Sequence, residues 1–283
     1  MLGAIIGDVA GSYIEVLEIQ KRNQNLKRDY NERIKIMDKS IPLFNENSSV
    51  TDDSILTIAI ADAILNHVPY DFKLKEYGKR EINLGLDKYG RSRFGRGFRD
   101  YISGTSKCDS YGNGCAMRIG PVGYLFDNLE KIKEESYKAT ITSHNNQESI
   151  KCAEAVATSI YLLRNGISKN ELKKYITANY FNLDFDIEDL RHNYKFSSIA
   201  LSSVPQAIFC FLESKNFENA IRLSLSIGGD SDTIACICGS LSEAYYGIPD
   251  KIVSDVEKFI PDYMKIIINQ FYNKDSIKKL IKK

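Results

Sequence analysis

The stretch Thr51-Asp52-Asp53-Ser54-Ile55-Leu56-Thr57-Ile58-Ala59-Ile60-Ala61-Asp62-Ala63-Ile64-Leu65 opens on carboxylates and hydroxyls and runs on into an almost unbroken apolar segment. Asp, Ser and Thr satisfy the free N–H groups of a helix N-terminus, and acidic side chains suit the positive end of its dipole. A second stretch, Gly228-Gly229-Asp230-Ser231-Asp232-Thr233, repeats the arrangement ahead of an apolar run over 234–241. Its two glycines permit positive φ and a close approach of backbone to ligand.

Outward from these starts, apolar residues recur at three- and four-residue steps over 52–66, 129–141, 147–164, 169–178, 202–214, 217–226, 233–246 and 249–259. That is the helical period, and strand alternation is absent. Several of the six prolines flank helical patterns, among them Pro121, Pro205 and Pro249. The sequence predicts one compact all-α unit of orthogonally packed helices over residues 1–283. Gly3, Gly7 and Gly11 fall at successive four-residue steps and make one small-residue stripe, so the first helix is expected to pack closely on another and to lie centrally. Its far end would bring Ser12, Tyr13 and Glu15 to one place. Loops are expected over 88–123, dense in glycine, and over 180–197, where acidic and aromatic residues mix.

Composition narrows the function. Residues AVILMFWYC make up 43% of the chain and charged residues 27%, an ordinary globular balance. A formal charge of +1 offers no electrostatic case for nucleic acid or membrane binding, and the basic tail 278–283 reads as a solvated helix end. No stretch has the roughly 18 uninterrupted apolar residues of a membrane span. The start is apolar but lacks a basic lead and soon meets Asp8, so a secretory signal is not expected and the cytoplasm is the default compartment. The six cysteines show no CxxC pair and read as reduced core thiols. Monomer is the default assembly.

Two acidic helix starts are also the chemistry of hard divalent cations, which select carboxylate and hydroxyl oxygens over sulfur. Either cluster alone is explained by capping. Together they exceed what caps need, and four carboxylates would balance two divalent cations. Without cations, four converging carboxylates would repel one another and raise their own pKa values. Ser110-Tyr111-Gly112-Asn113-Gly114 reads either as a simple turn or as a nest of inward N–H groups for phosphate, strengthened if a helix begins near Cys115. His144 lies in a polar break between two helical patterns, where it is either a capped histidine or a donor to phosphate or sugar.

The order Gly7-Asp8-Val9-Ala10-Gly11-Ser12-Tyr13-Ile14-Glu15, Thr51-Asp52-Asp53-Ser54, Tyr111-Gly112-Asn113-Gly114 with Met117-Arg118, His144, and Gly228-Gly229-Asp230-Ser231-Asp232-Thr233 resembles the ADP-ribosylglycohydrolase family, which includes the dinitrogenase reductase activating glycohydrolases. The resemblance runs from residue 3 to about residue 248. It implies an all-helical fold around two Mg²⁺ or Mn²⁺ ions, held by Thr51, Asp52, Asp53, Asp230, Asp232 and Thr233. It further implies that residues 110–114 hold a diphosphate with His144 nearby, and that Glu15 faces the scissile ribose. The substrate class implied is an ADP-ribosylated protein or a small ADP-ribose conjugate. Cleavage at the ribose anomeric carbon passes through an oxocarbenium-like state. On this reading Glu15 or a ligating aspartate such as Asp53 manages the proton of the attacking water. A binuclear phosphoesterase and a catalytically weak ADP-ribose-binding module remain open from the same residues.

Overall fold

The computed structural model describes residues 1–24, 26, 29–274 and 277. The basic tail 278–283 lies outside them. Among the described residues sixteen α-helices run in order: α1 Leu2–Asn23, α2 Tyr30–Lys35, α3 Asp52–Leu65, α4 Tyr70–Asn83, α5 Arg96–Ser103, α6 Gly114–Met117, α7 Gly120–Leu125, α8 Leu129–Ile141, α9 Gln147–Arg164, α10 Lys169–Asn179, α11 Ile187–Asn193, α12 Val204–Glu213, α13 Phe217–Ser226, α14 Ser231–Tyr246, α15 Asp250–Val256 and α16 Asp262–Tyr272. Among the described residues there is no sheet; two isolated bridges, Asp109 with His144 and Gly112 with Ile199, are the extended pairings. The fold is all-α, as the periodicity predicts.

The pairing of α1 with α14 organises the rest. A Cβ placed on Gly3 would lie 2.3 Å from Gly239 O, one on Gly7 2.0 Å from Ala235 O, and one on Gly11 2.4 Å from the Asp232 Cα. Partner numbers fall as the glycine numbers rise, so the two helices run antiparallel with their backbones in contact. Only residues without a Cβ allow that approach on the α1 side. The consequence is positional: the middle of α1, with Asp8, Ser12 and Glu15, is drawn alongside the start of α14. Helix α3 is buried on nearly every face, from Asp53 and Ser54 through to Ala63, so its own start is also brought inside.

The core cluster reaches from Met1 to Ile277 and includes Ile5, Ile58, Ile160, Phe211 and Phe271, each fully or almost fully buried. Five of the six cysteines are buried and none is bridged. Cys236 Sγ points at Met117 O at 3.5 Å and Cys238 Sγ at Ala220 O at 3.4 Å, so this pair diverges as helical spacing requires. No helix among the described residues is long and apolar enough to cross a membrane.

Two expected loops hold helices. Arg96–Ser103 is helical inside the glycine-dense segment, because Gly95 and Gly104 bracket it while the glycine within it, Gly97, lies on an open face. Ile187–Asn193 is helical inside 180–197, started by Asp186, whose side chain caps Asp189 N–H at 2.8 Å.

Candidate active site

Two helix N-termini meet the flank of α1. Thr51 is the N-cap of α3: its hydroxyl accepts from Asp53 N–H at 3.3 Å and donates to Asp8 Oδ1 at 2.6 Å. Asp8 Oδ2 accepts from Thr51 N–H at 2.9 Å and Ser54 N–H at 3.0 Å, and from the Ser54 hydroxyl. A single fully buried carboxylate on α1 therefore ties together the two ends of the first turn of α3, Thr51 and Ser54. The start of α14 is held differently. Gly228 and Gly229 adopt φ of 75° and 81°, and no side chain caps the helix. Asp230 accepts from Asn113 Nδ2 at 2.7 Å, while Arg33 Nη1 binds Ile227 O at 2.8 Å and so fixes the approach to the glycines.

Six carboxylates converge: Asp8, Glu15, Asp52, Asp53, Asp230 and Asp232. Ligand atoms of Asp8, Asp53 and Asp232 lie within 4.8 Å of one another, as do those of Glu15, Asp230 and Asp232. Burial, followed by repulsion from Glu15, Asp8 and Asp230, pushes Asp52 up to about 8. Burial and Asp230 lift Glu15 to about 7 against the pull of Arg91. Asp53 and Asp232 are pushed well above the carboxylate range by burial and by their acidic neighbours. Burial also raises Asp8 and Asp230, opposed by the hydrogen bonds of Ser54 and Thr51 and of Asn113 respectively. The cluster is thus starved of positive charge.

Five of these carboxylates, all but Asp8, floor a cavity of about 520 Å³, which Ser110, Gly112, Asn113, Gly114 and His144 also line. Tyr111 departs from expectation: it is absent from that lining and its side chain is exposed. The glycine loop is not a phosphate nest either. Gly112 and Gly114 lack positive φ. Gly112 N–H is bound to Ser110 Oγ at 3.1 Å and Asn113 N–H to Ser198 O at 2.8 Å. The loop instead wraps a histidine, since a Cβ on either glycine would come within 3.6 Å of the His144 ring.

His144 is buried, not partly exposed as a simple cap would be. Its Nδ1 lies 2.7 Å from Ser143 Oγ, and that hydroxyl accepts from Arg118 Nη2 at 2.8 Å. Having accepted from the guanidinium, Ser143 can donate to Nδ1, which leaves the ring proton on Nε2. Burial and Arg118 both lower the His144 pKa well below its usual value, so the ring is neutral and offers Nε2–H as a donor.

Sequence reasoning assigned nothing to Asp8, Arg91 or Ser143. Asp8 carried a signal: a lone carboxylate in an apolar, glycine-striped helix must be paired or ligating. Arg91, whose Nη1 lies 3.0 Å from Glu15 Oε2, is separated by too much chain for any spacing rule to pair the two.

The ADP-ribosylglycohydrolase family model matches residues 1–280. The chain belongs to the ADP-ribosylglycohydrolase family. The ADP-ribosylarginine hydrolase Tri1 of Pseudomonas putida (strain GB-1) is 23% identical over 278 residues, covering 91% of this chain and 72% of that protein. The human ADP-ribosylhydrolase ARH3 is 21% identical over 315 residues, covering 88% and 84%. A solved structure described as an ADP-ribosylglycohydrolase-related protein complex shares the fold, with a TM-score of 0.65 at 19% identity over 96% of this chain and 94% of that one. As a member of this family the protein is a hydrolase of ADP-ribose linkages.

Proposed function

We propose that the protein is a divalent-metal-dependent hydrolase that removes ADP-ribose from a modified acceptor by cleaving the bond at the ribose anomeric carbon. The observation that carries this reading is Asp53 Oδ1, a buried carboxylate oxygen with no hydrogen-bond partner, at the meeting point of the two acidic helix starts. A buried, unpaired anionic oxygen is costly, and nearby carboxylates make it worse. An all-oxygen donor set with this excess of negative charge fits Mg²⁺ or Mn²⁺.

Thr51, Asp52, Asp53, Asp230, Asp232 and Thr233 would hold two such ions, with the Asp8 carboxylate beside them. Both threonines support this assignment. Thr51 gives its hydroxyl proton to Asp8 at 2.6 Å and Thr233 gives its own to Asp53 at 3.2 Å; Thr51, which also accepts from Asp53 N–H, keeps one lone pair for an ion, and Thr233 keeps both. When bound, divalent cations would supply Lewis acidity and offset the charge of the cluster.

The remaining roles belong to side chains. Glu15, on the cavity wall, would take a proton from the attacking water, with Asp53 as the second carboxylate at the reacting centre. The acidic floor stabilises positive charge developing on the ribose ring. His144 Nε2–H and the Ser110 hydroxyl, with Gly112 and Gly114 lining the wall between them, would bind the non-reacting oxygens of ADP-ribose. The Asn113 side chain is occupied by Asp230 and by Ser203 at 3.2 Å, so its part is to hold Asp230 in place.

Incubation with ADP-ribosylated protein in Mg²⁺ or Mn²⁺, followed by product identification, tests the reading. Free ADP-ribose, lost on chelation, is the expected product. AMP with ribose phosphate would make the protein a phosphoesterase instead, and tight ADP-ribose binding without turnover would make it a binding module.

A further inference from the structure

Arg91 stands outside the carboxylate cluster, yet its position is built. Residues 87–91 close a turn in which Asp87 N–H donates to Arg91 O at 2.8 Å and Gly90, at φ 73°, donates to Asp87 O at 3.0 Å. The Asp87 carboxylate accepts from Arg91 N–H at 2.8 Å and from Nε at 3.0 Å. Lys88 Nζ ties the turn to Glu46 O at 3.1 Å and Ser48 O at 3.0 Å, on the segment that leads into Thr51. With Nε spent on Asp87, Nη1 reaches Glu15 Oε2 at 3.0 Å. Among the described residues, Glu15 is the one member of the six carboxylates with an ion-pair partner. Arg93 and Arg96 line the same cavity, and the Arg96 side chain is 89% exposed. The site thus has an acidic floor and a wall of arginines, each paired with a carboxylate: Arg91 with Glu15 and Asp87, Arg93 with Glu81 and Arg96 with Asp100.

We propose that Arg91 selects the acceptor by charge, so that the site takes ADP-ribose joined through oxygen to an uncharged hydroxyl acceptor and disfavours a guanidinium acceptor. This rests on the hydrolase reading above and sharpens it. A guanidinium joined to the anomeric carbon keeps a full positive charge and needs a carboxylate at its side. The hydrolase reading gives Asp52, Asp53, Asp230 and Asp232 to the metal ions, and Glu15 and Asp87 are already engaged by Arg91, so a cation arriving on the Arg91 side would meet a fixed cation instead. Like charges at contact distance in a half-exposed site weaken binding by at least about tenfold. An oxygen-linked acceptor has the opposite need. As the bond from the anomeric carbon to oxygen breaks, the electron pair stays on the acceptor oxygen, and a nearby guanidinium stabilises that charge. Water supplies the oxygen that replaces it on carbon and the proton that ends on the released hydroxyl, with no change in oxidation state.

Two peptides of one sequence, ADP-ribosylated on serine in one and on arginine in the other, test this with the wild type, Arg91→Gln and Arg91→Lys. The wild type should hydrolyse the serine-linked peptide with at least about tenfold higher kcat/KM. Arg91→Gln should erase that ratio by lowering kcat on the serine linkage and KM on the arginine linkage, and Arg91→Lys should restore part of it. Wild-type preference for arginine, or a ratio unmoved by Arg91→Gln, overturns the proposal. Calorimetric binding of both peptides in chelator runs alongside. If neither peptide releases ADP-ribose, the hydrolase reading fails separately. The binding ratio then decides: tighter serine-peptide binding that Arg91→Gln abolishes supports charge selection, and equal binding ends it.

Discussion

The starts of α3 and α14 are near-duplicates in sequence and opposites in construction. Thr51-Asp52-Asp53-Ser54 caps its own helix and has its first turn gripped by the buried Asp8. Asp230-Ser231-Asp232-Thr233 begins a helix with no side-chain cap, and depends on two left-handed glycines and on Asn113 and Arg33 from elsewhere. One half adds a cap of its own to the grip of a single carboxylate from α1, and the other has no cap and is held entirely from outside. The same pattern of acids and hydroxyls therefore reports the chemistry a site needs without reporting what keeps it in shape.

The largest expected effect falls where the halves meet. Asp53→Asn removes a carboxylate from the shared centre, and ADP-ribose release should fall by about 10²-fold or more, read as kcat at saturating metal. Next comes the self-capped half. Asp8→Ala strips the acceptor from Thr51 and Ser54, and should lower unfolding free energy by about 2–3 kcal/mol in a denaturant titration. Hydrogen exchange should quicken at the Thr51 and Ser54 amides and not at the start of α14. Asn113→Ala should do the converse with a smaller cost, about 1 kcal/mol, loosening Asp230 while the α3 amides stay protected. Exchange that quickened equally at both helix starts in either variant would erase the contrast.

The smallest effect is in pH. Asp52 and Glu15 have folded pKa values of about 8 and about 7, above the roughly 4 of an unfolded carboxylate. A raised acid stabilises the fold fully below the unfolded value and loses that contribution as pH rises through the folded one. In chelator, Tm should accordingly fall between about pH 4 and pH 8, and added Mg²⁺ or Mn²⁺ should reverse the fall. A Tm that rose with pH in chelator would contradict the charge-starved cluster.

Much of this was legible in the chain. Helical periodicity gave α9 and α13 their observed bounds, and the Gly3, Gly7, Gly11 stripe foretold the close packing on α14. Short patterns reach only as far as local hydrogen bonding does. Helix α5 was hidden because glycine density argues for loop whatever the flanking contacts, and α11 because its seven residues sit among charged and aromatic side chains. Whether 110–114 was a turn or a nest stayed open in the chain because a turn sequence does not say which way Tyr111 and the amides of Gly112 and Asn113 face. Asp8 and Arg91 escaped since their partners are set by the antiparallel run of α1 and by the 87–91 turn, which are facts of tertiary structure.

That the two helix starts are halves of one metal site is tested most directly by a double-variant cycle on Mn²⁺ affinity, measured by calorimetry for wild type, Asp53→Asn, Asp232→Asn and the pair together. A shared site predicts that each single substitution costs most of the affinity and that the second adds far less than its separate loss. Additive losses, or two classes of ion each sensitive to one substitution alone, would show two unconnected helix caps.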